Sequence, residues 1–531
     1  MRLSEQIADR SNYLDIKVIY DKIPHHSHHL QGHLPSKKWS AFSGREVSMT
    51  LKTTQQFERG VLPVSHFGID WPDFFAKYPL PDVFAETVFL WDKGRLKDMQ
   101  NDRLKAILEL GWSNSYYREL WSSAGVRPEH VRTVDDIARL PTFNTDDIKS
   151  NQDAFPPFGS ITGVSPSDFG KQPMKVQTSG GTTGKPRPTL FGQLEWEMNA
   201  LSSARGLYIQ GARPGDVAQI PATCSLANLG WGIYKACHDY LGVMPLTTGS
   251  GVVTPTRRQI EMAFDFGTNI WVSFPEYFSQ LAKVCKAELN RDFSEMNCKF
   301  ISTFLGPDTD GALRSYLQQT LGAKVYDNYG INEIALGSFE CQHQSGLHIM
   351  EDLFLFEIVD IETGAPLPDG QTGNIVVTSL CRTIPPIIRL NTRDLGRIVG
   401  TERCDCGSHF RRMDHFLGRS DDMVRMRGVN IYPMACLATV RSDERSTGEW
   451  LCVAERTEKA GVIGESLTIR IEVKKNAGSR EGMVEHMERR LKEDLGLRVA
   501  VELVDEGELT EFTNFGKEGK ARRLLDLRRK T

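Results

Sequence analysis

The stretch Thr178-Ser179-Gly180-Gly181-Thr182-Thr183-Gly184-Lys185-Pro186 combines four hydroxyl side chains, three glycines and one cation in nine residues. Glycine lets the backbone turn through positive φ and bring its N–H groups up to a phosphate, while hydroxyls and a lysine donate to phosphate oxygens. The order differs from a Walker A loop, because Lys185 is followed by Pro186 in place of Ser or Thr. Composition alone leaves two interpretations open, a phosphate-binding loop and a flexible linker.

Four further motifs follow this loop along the chain. They are Tyr329-Gly330-Ile331-Asn332-Glu333, residues 389–395 (RLNTRDL), residues 418–433 (GRSDDMVRMRGVNIYP) and residues 518–523 (EGKARR). In order and spacing the five motifs resemble those of the adenylate-forming acyl-CoA synthetase superfamily, over roughly residues 84–531. Within it the chain is most similar to the phenylacetate–CoA ligase branch, which includes coenzyme F390 synthetase-like proteins, on residues 346–352 and 418–433.

Hydrophobic patterns predict an α/β protein. From Val217 onward, short apolar segments alternate with longer amphipathic ones, which is typical of strands joined by crossover helices. Helical spacing is found earlier, in residues 98–111 and near residues 116–124. The predicted strands are residues 270–274, 300–304 and 324–326.

The C-terminal part of the chain is predicted to be a separate small unit. Residues 467–473 alternate with period two, residues 483–495 repeat at helical spacing, and residues 499–504 form a second strand. Asp421 matches the hinge residue of the family. With the resemblance, the predicted regions are an N-terminal extension of unknown role (1–80), a large adenylating domain built on α/β sheets (81–420) and a small, mobile α+β lid domain (421–531).

Length and composition limit the class of protein. The chain has 531 residues, 40% hydrophobic content and a net charge of −4, so no global field favours nucleic acid or an anionic membrane. No apolar run reaches the length of a membrane span, the N-terminus lacks a signal-peptide core, and the ten cysteines are unevenly spaced. We expect a soluble cytoplasmic enzyme without nucleic-acid or membrane partners, while a homodimer stays open.

The resemblance implies a site for ATP and Mg²⁺, whose cations would let a carboxylate approach the phosphates. Glu333 is then a catalytic residue and the Mg²⁺ ligand, and Asp394 accepts from the two ribose hydroxyls. Asn332 stands where the family usually has Thr or Ser, and Tyr329 stacks on adenine. The implied nucleotide-binding residues are Thr178, Ser179, Gly180, Gly181, Thr182, Thr183, Gly184, Lys185, Gly306, Asp327, Asn328, Tyr329, Gly330, Asn332, Asp394 and Arg419.

A second catalytic residue is implied near the C-terminus. Lys520 matches the family's C-terminal lysine, and its compact charge suits the α-phosphate and the substrate carboxylate. Lys517 is the rival residue. The phosphate loop carries one glycine more than the family's usual Thr-Ser-Gly-Thr-Thr-Gly-Lys-Pro, so the individual roles of Ser179 and Thr182 stay open.

The acyl pocket is predicted from residues 224–231 and from Leu305. The segment is rich in small and aromatic residues, and its implied substrate contacts are Ala227, Leu229, Gly230 and Trp231. By analogy with the branch we expect an aromatic carboxylic acid, arylacetic or aryl, joined to coenzyme A through an acyl-adenylate. Two alternatives stay open. One is transfer to a carrier protein or an amine; the other is an aromatic dicarboxylate whose second carboxylate pairs with Arg187, Lys235 or His238.

Three cysteines and one histidine form a second candidate site. Cys404 and Cys406 are separated by one residue, and Cys341 and His348 belong to one short segment. Three thiolates and an imidazole suit a closed tetrahedral, structural Zn²⁺ site, and members of the same branch carry a similar set. His343 competes with His348 as the nitrogen ligand. Ordinary packing of four reduced residues is the alternative.

Overall fold

The structure is a computed structural model of the chain. The N-terminal residues up to 68, the loop residues 179–186 and the segment around Lys520 lie outside the part that it describes. Predictions about Ser179, Lys185 and Lys520 therefore stay predictions. The described residues are 69–169, 173–178, 187–306, 308, 311–422, 424–426, 429–459, 462–513 and 522–528.

Side chains cap the first turn of several helices in the N-terminal part of the described chain. Asp92 accepts a hydrogen bond from the backbone N–H of Arg95 at the start of a 21-residue helix, and Asn114 caps the next helix in the same way. None of the described helices is long and apolar enough to cross a membrane. The described helices are α1 (Trp71–Lys77), α2 (Pro81–Glu86), α3 (Lys93–Ser113), α4 (Ser115–Ser123), α5 (Thr145–Ala154), α6 (Gln193–Gln210), α7 (Asn228–Lys235), α8 (Thr256–Phe266), α9 (Pro275–Leu289), α10 (Ala312–Leu321), α11 (Leu437–Arg441), α12 (Met483–Leu495) and α13 (Thr510–Thr513).

Strands occupy short segments spread over the whole described chain. In the central sheet most strands are buried on both faces. Near the C-terminus, more and less exposed residues alternate along the strand. The described strands are β1 (Phe143–Asn144), β2 (Lys175–Thr178), β3 (Pro188–Phe191), β4 (Val217–Gln219), β5 (Met244–Leu246), β6 (Ile270–Val272), β7 (Phe300–Thr303), β8 (Lys324–Ile331), β9 (Ala335–Glu340), β10 (Leu347–Ile349), β11 (Phe354–Val359), β12 (Gly373–Ser379), β13 (Leu390–Gly396), β14 (Ile398–Gly400), β15 (Arg412–Met413), β16 (Val424–Met426), β17 (Val429–Ile431), β18 (Ser446–Lys459), β19 (Val462–Val473), β20 (Ala500–Asp505) and β21 (Leu524–Asp526).

A nine-stranded sheet in the order β14-β15-β10-β9-β8-β7-β6-β4-β5 is the centre of the fold. Its half from β4 to β8 is parallel, with helices α7 to α10 between the strands, and the other half is antiparallel. The predicted strands at 270–274, 300–304 and 324–326 are the neighbours β6, β7 and β8, which confirms the α/β prediction. Ligands of such sheets bind beyond the carboxyl ends of the strands, here β7 and β8.

Two smaller sheets carry further predicted site residues. The sheet β1-β13-β12-β11 contains Asp394 in β13, and β2 and β3 form an antiparallel hairpin. In the register of that hairpin Thr178 faces Pro188, so the residues that connect the two strands are those of the phosphate-loop motif. The phosphate-loop motif is thus the connection between the two strands of this hairpin.

Residues beyond 423 have a hydrophobic core of their own. Trp450, Ile469, Ile471, Met487 and Leu491 are buried in it. The sheet β20-β19-β18-β21 packs against α12, and β19 pairs in parallel with β20. The predicted β-α-β unit is therefore confirmed as β19-α12-β20.

Candidate active site

A buried carboxylate holds the ends of β7 and β8 together. Asp327 is 1% exposed and accepts hydrogen bonds from the backbone N–H groups of Leu305 (2.7 Å) and Asn328 (2.9 Å). Its second oxygen lies 2.6 Å from Nδ1 of His415. Burial lowers the pKa of His415, but the hydrogen bond to Asp327 and the negative charges of Asp327 and Glu340 together raise it above its ordinary value. Asp327 therefore joins β8 to the segment that follows β7, and its role in binding the nucleotide stays a prediction.

Contacts and backbone geometry within the protein explain why Asn328, Gly330 and Gly306 stand at these positions. The Asn328 amide accepts from Gln210 (2.9 Å) and donates to the Thr303 carbonyl (2.7 Å). A Cβ on Gly330 would collide with the backbone carbonyl of Ala335, and Gly306 has a φ of 74°. Because packing and backbone geometry already require these residues, their role toward the nucleotide rests on the resemblance.

The Glu333 turn is tied to the hairpin of the phosphate-loop motif. Nδ2 of Asn332 donates to Oγ1 of Thr189 at 2.9 Å, and Thr189 is the second residue of β3. The Tyr329–Glu333 motif therefore contacts the strand that follows the phosphate-loop motif in sequence.

Glu333 is buried in an ion pair. Oε1 of Glu333 pairs with Nη2 of Arg187, and the two side chains are 6% and 7% exposed. Nη1 of Arg187 has no hydrogen-bond partner among the described residues. A buried carboxylate needs a countercharge, and Arg187 supplies it. Arg187 therefore has a carboxylate partner within the protein, and its pairing with a second substrate carboxylate stays a prediction.

Asp394 is the centre of a polar cluster. It accepts from the Tyr329 hydroxyl and from Nη1 of Arg419, both at 2.8 Å. Arg419 also makes a bidentate contact with Asp421 at 2.8 Å. Burial raises the pKa of Tyr329 well above its ordinary value, so its hydroxyl stays a donor. The structure thus brings together four residues that the sequence assigned to ribose, adenine and hinge.

The residues predicted for the acyl pocket are not all brought together. Ala227 is exposed before α7, and Nε1 of Trp231 donates to the Ser225 carbonyl at 2.8 Å. Leu229 packs on the hydrophobic cluster beneath α7, whereas Leu305 is buried in the cluster of α8 to α10. Gly230 packs so closely on the Ala222 carbonyl that a Cβ at this position would lie 2.7 Å from its oxygen. The role of Leu305 in this pocket stays a prediction.

The other two cations suggested for a second carboxylate also have partners. Nζ of Lys235 lies 3.0 Å from Glu197 and 2.5 Å from Asp239. Nδ1 of His238 lies 2.6 Å from the same Asp239. The sequence alone does not show these acid partners, and pairing of Lys235 or His238 with a second substrate carboxylate stays a prediction.

One cation near this segment was missed in the sequence. Nζ of Lys175 lies 3.9 Å from the ring centroid of Trp196 and 4.2 Å from that of Trp231. Lys175 is the first residue of β2. The order Lys175-Val176-Gln177 gives no signal of this contact, because its apolar residue Val176 is exposed while Gln177 is buried.

The cysteines and the histidine of the metal prediction converge. The ligand atoms of Cys341, His348, Cys404 and Cys406 all lie within 4.8 Å of one another. The two sulfurs of Cys341 and Cys404 are 3.9 Å apart. Zn–S bonds of about 2.3 Å place two tetrahedral sulfurs about 3.8 Å apart, so the cluster has the right size. His343 is exposed and lies outside the cluster, which favours His348 as the nitrogen ligand.

Local structure prepares this cluster for a cation. The Cys404 N–H donates to the Ser408 carbonyl at 2.9 Å, and the Gly407 N–H donates back to Cys404 at 2.8 Å, which closes a tight loop. The hydrogen bond from the Cys406 thiol lowers the pKa of the Cys341 thiol, against the effect of burial. A thiolate is the form of cysteine that binds metal.

Comparisons with known proteins agree with this geometry. Residues 428–528 match the AMP-binding enzyme C-terminal domain family. The phenylacetate-coenzyme A ligase of Thermus thermophilus is 30% identical over 463 residues, which cover 82% of this chain and 97% of that protein. The chain is also 29% identical to the phenylacetate-coenzyme A ligase of Escherichia coli, over 82% of this chain and 95% of that protein.

A solved structure of similar shape is that of 2-hydroxyisobutyryl-CoA ligase in the postadenylation state with R3-HIB-AMP. It has a TM-score of 0.71 at 25% identity and covers 82% of this chain and 90% of that chain. The Thermus relative matches nearly its whole length, and the motifs, the fold and the C-terminal family agree with it. The chain therefore belongs to the phenylacetate–CoA ligase branch of the adenylate-forming superfamily and is an ATP-dependent, AMP-forming acid–CoA ligase.

Proposed function

We propose that the acid substrate is aromatic, of the arylacetic or aryl class. The observation that carries this proposal is the similarity to phenylacetate-coenzyme A ligases over 82% of the chain. The indole rings of Trp196 and Trp231, next to the segment predicted for the acyl pocket, offer flat apolar faces that suit an aromatic ring.

The reaction consists of two steps. A carboxylate oxygen of the acid forms a bond to the α-phosphorus of ATP, and the bond from that phosphorus to pyrophosphate breaks. The sulfur of coenzyme A then attacks the acyl carbonyl, the thiol proton leaves, and AMP is released. Both steps bring anionic groups together, so the protein must supply cations and oriented donors.

Mg²⁺ is proposed to bind at Glu333. Its buried carboxylate is a hard oxygen donor and already holds a cationic partner, Arg187, in the same place. Bound there, the ion would supply charge neutralisation for the departing phosphates. Asn332 orients the turn through Thr189, so Glu333 faces the hairpin of the phosphate loop.

The remaining roles follow the resemblance. Asp394 is proposed for the ribose hydroxyls, with Arg419 beside it, because each carboxylate oxygen has a second lone pair beyond its contact with Tyr329 or Arg419. Lys520 is proposed to neutralise charge at the α-phosphate.

The region from residue 421 onward is proposed to be a mobile domain that turns at Asp421. Its separate hydrophobic core supports this division from the large domain of residues 81–420. So does the TM-score to 2-hydroxyisobutyryl-CoA ligase, which is 0.71 for the postadenylation state and 0.59 for the thioesterification state of that enzyme. The role of residues 1–80 is not assigned.

The substrate class is tested by pyrophosphate release from a panel of acids at fixed ATP and Mg²⁺. Phenylacetate and benzoate represent the arylacetic and aryl classes, and 2-hydroxyisobutyrate represents short aliphatic acids. We expect the aromatic acids to have the higher kcat/KM. A higher kcat/KM for 2-hydroxyisobutyrate would overturn the aromatic assignment. In the second step, free coenzyme A should outcompete a carrier protein or an amine as the acceptor.

Structural zinc is proposed at the Cys341, His348, Cys404 and Cys406 cluster. A closed site with four protein ligands has no open position for substrate, so Cys404→Ser should release zinc and lower stability more than it lowers turnover. Elemental analysis of protein purified without chelator should find about one zinc per chain.

A matched control comes from another buried cysteine pair. The sulfurs of Cys436 and Cys452 are 3.8 Å apart, but neither residue belongs to a metal-binding group among the described residues. Cys436→Ser should therefore lower stability without changing zinc content. Zinc-free wild-type protein, or equal zinc in Cys404→Ser and wild type, would contradict the assignment.

The cellular location and the oligomeric state are further proposals. All ten cysteines have free thiols, which is typical of proteins in reducing compartments, and we propose a cytoplasmic location. Light scattering on the purified chain would distinguish a monomer from the homodimer that the sequence leaves open.

A further inference from the structure

Lys175 is a cation held between two indole rings. Its ammonium lies over Trp196 of α6 at 3.9 Å and over Trp231 of α7 at 4.2 Å, measured to the ring centroids. Both distances are within the range of favourable cation–π contacts. The side chain is partly buried, and its position is set by three elements, β2, α6 and α7. Lys175 is therefore fixed in place while part of its hydration is lost.

This ammonium lacks an anionic partner among the described residues. No carboxylate or hydrogen-bond acceptor of that part of the chain contacts it, and the titratable group that faces it is the Cys224 thiol. Burial lowers the pKa of Lys175 to about 8, and burial raises the pKa of Cys224, which keeps that thiol neutral. A partly desolvated cation without a countercharge is energetically unfavourable. A ligand that provides the anion would offset this cost.

The ammonium lies beside the segment predicted for the acyl pocket. Trp231 and Cys224 are the two ends of that segment, and the Thr178 N–H ties β2 to it by donating to the Leu226 carbonyl at 2.9 Å. The three cations first considered for a second substrate carboxylate all have carboxylate partners of the protein. Of these four cations, Lys175 is the one without a carboxylate partner among the described residues.

We propose that Lys175 determines specificity by binding a second anionic group of the aromatic acid, on the side of the ring away from the carboxylate that is adenylated. This inference rests on the proposed aromatic substrate and narrows it to dianionic aromatic acids. The ammonium would donate a charge-assisted hydrogen bond to the second anion, while Trp231 offers an apolar face to the ring.

Calorimetric binding tests the inference with matched probes. The probes are 3- and 4-carboxyphenylacetate and their neutral isosteres, 3- and 4-carbamoylphenylacetate, each titrated into the full-length chain. We expect wild type to bind at least one diacid about ten- to hundredfold more tightly than its amide isostere, as for a hydrogen bond between charged groups. Lys175→Met should abolish this preference, and Lys175→Arg should retain most of it.

Two controls separate this inference from its alternatives. Lys286→Met removes an exposed lysine on α9 that pairs with Asp292, and it should leave the preference unchanged. ATP binding should be equal in wild type and Lys175→Met. Weaker ATP binding with an unchanged preference for the diacid would assign Lys175 to the nucleotide phosphates and overturn the inference.

Failure of the inference and of the proposed function give different results. Equal binding of diacid and amide by wild type, or no binding of any probe, overturns the specificity role even if phenylacetate releases pyrophosphate. Absence of pyrophosphate release from every aromatic acid overturns the proposed substrate class, whatever the binding preference. The binding measurement therefore decides the role of Lys175 without depending on turnover.

Discussion

The proposed nucleotide side and the proposed acyl side of this site differ in how their charges are paired. On the nucleotide side, Glu333 pairs with Arg187 and Asp394 pairs with Arg419 within the protein itself. On the acyl side, Lys175 has two indole faces and no anionic partner among the described residues. One side is neutralised before any ligand binds, and the other receives its countercharge from a ligand.

This difference has an energetic consequence. Removing one partner of a buried ion pair leaves the other charge unpaired, which typically costs about 3–5 kcal/mol of stability. Removing a cation that has no countercharge relieves desolvation instead. Substitutions on the nucleotide side should therefore affect stability and catalysis together, whereas substitutions at Lys175 should affect ligand choice alone.

The largest effect is expected from substitution of Lys520, a cation that belongs to neither the nucleotide side nor the acyl side. Lys520→Ala should lower adenylation about 10²–10³-fold, as expected when one transition-state charge contact is lost. Thioester formation from a supplied acyl-adenylate should be largely retained, because Lys520 is proposed to reach the α-phosphate in one domain arrangement. The two half-reactions are measured separately, with the rival Lys517→Ala as the control. Equal loss in both half-reactions would exclude this role.

The next largest effect tests the neutralised side directly. Glu333→Gln keeps shape and hydrogen bonding but removes the charge that pairs with Arg187 and would hold Mg²⁺. Turnover should fall about a hundredfold, as for the loss of one electrostatic contact in the transition state, and part of the loss should be recovered at high Mg²⁺.

Glu340→Gln is the control for the loss of a buried pair. Glu340 lies 2.8 Å from Arg314, and its side chain is fully buried, but it is not a proposed metal ligand. Both variants should lose stability in thermal unfolding, and Glu333→Gln alone should show the altered Mg²⁺ dependence. Near-normal activity of Glu333→Gln at low Mg²⁺ would show that the Tyr329–Glu333 motif is not the metal site.

Local patterns predicted the framework of the fold. Strands β6, β7 and β8 and the β19-α12-β20 unit were recognisable, because short apolar runs and helical periodicity are properties of neighbouring residues. The cysteines and His348 were recognisable from ligand chemistry. They meet because β10 pairs with both β9 and β15, which places the segments of Cys341, His348 and Cys406 side by side.

Charge partners could not be predicted in the same way. Arg187, Lys235 and His238 were considered as alternatives for a second substrate carboxylate. Folding places Arg187 against Glu333, and both Lys235 and His238 contact Asp239. Which acid meets which cation depends on contacts between elements far apart in sequence. For the same reason nothing in the sequence indicated that Trp196 and Trp231 enclose Lys175.

A smaller effect is expected at the ribose end of the nucleotide side. Asp394→Asn should raise KM for ATP about ten- to hundredfold with a smaller change in kcat, because the ribose contact is made in the ground state and the transition state alike. Glu357→Gln, which weakens the pair with Arg389 away from the site, is the control and should leave KM for ATP unchanged. An unchanged KM in Asp394→Asn would remove the residue from the ribose contact.

The smallest effect is the pH dependence of the acyl side. Burial lowers the pKa of Lys175 to about 8. Its side chain is therefore charged at pH 7 and loses this charge as the pH rises through about 8. The facing Cys224 stays a neutral thiol, since burial raises its pKa. For a carboxyphenylacetate, kcat/KM should fall about tenfold between about pH 7 and pH 9, because this ratio reports the free enzyme. For phenylacetate it should stay nearly constant. Lys175→Arg keeps its charge over this range and should remove the decline, whereas an equal decline for both acids would place the titrating group elsewhere.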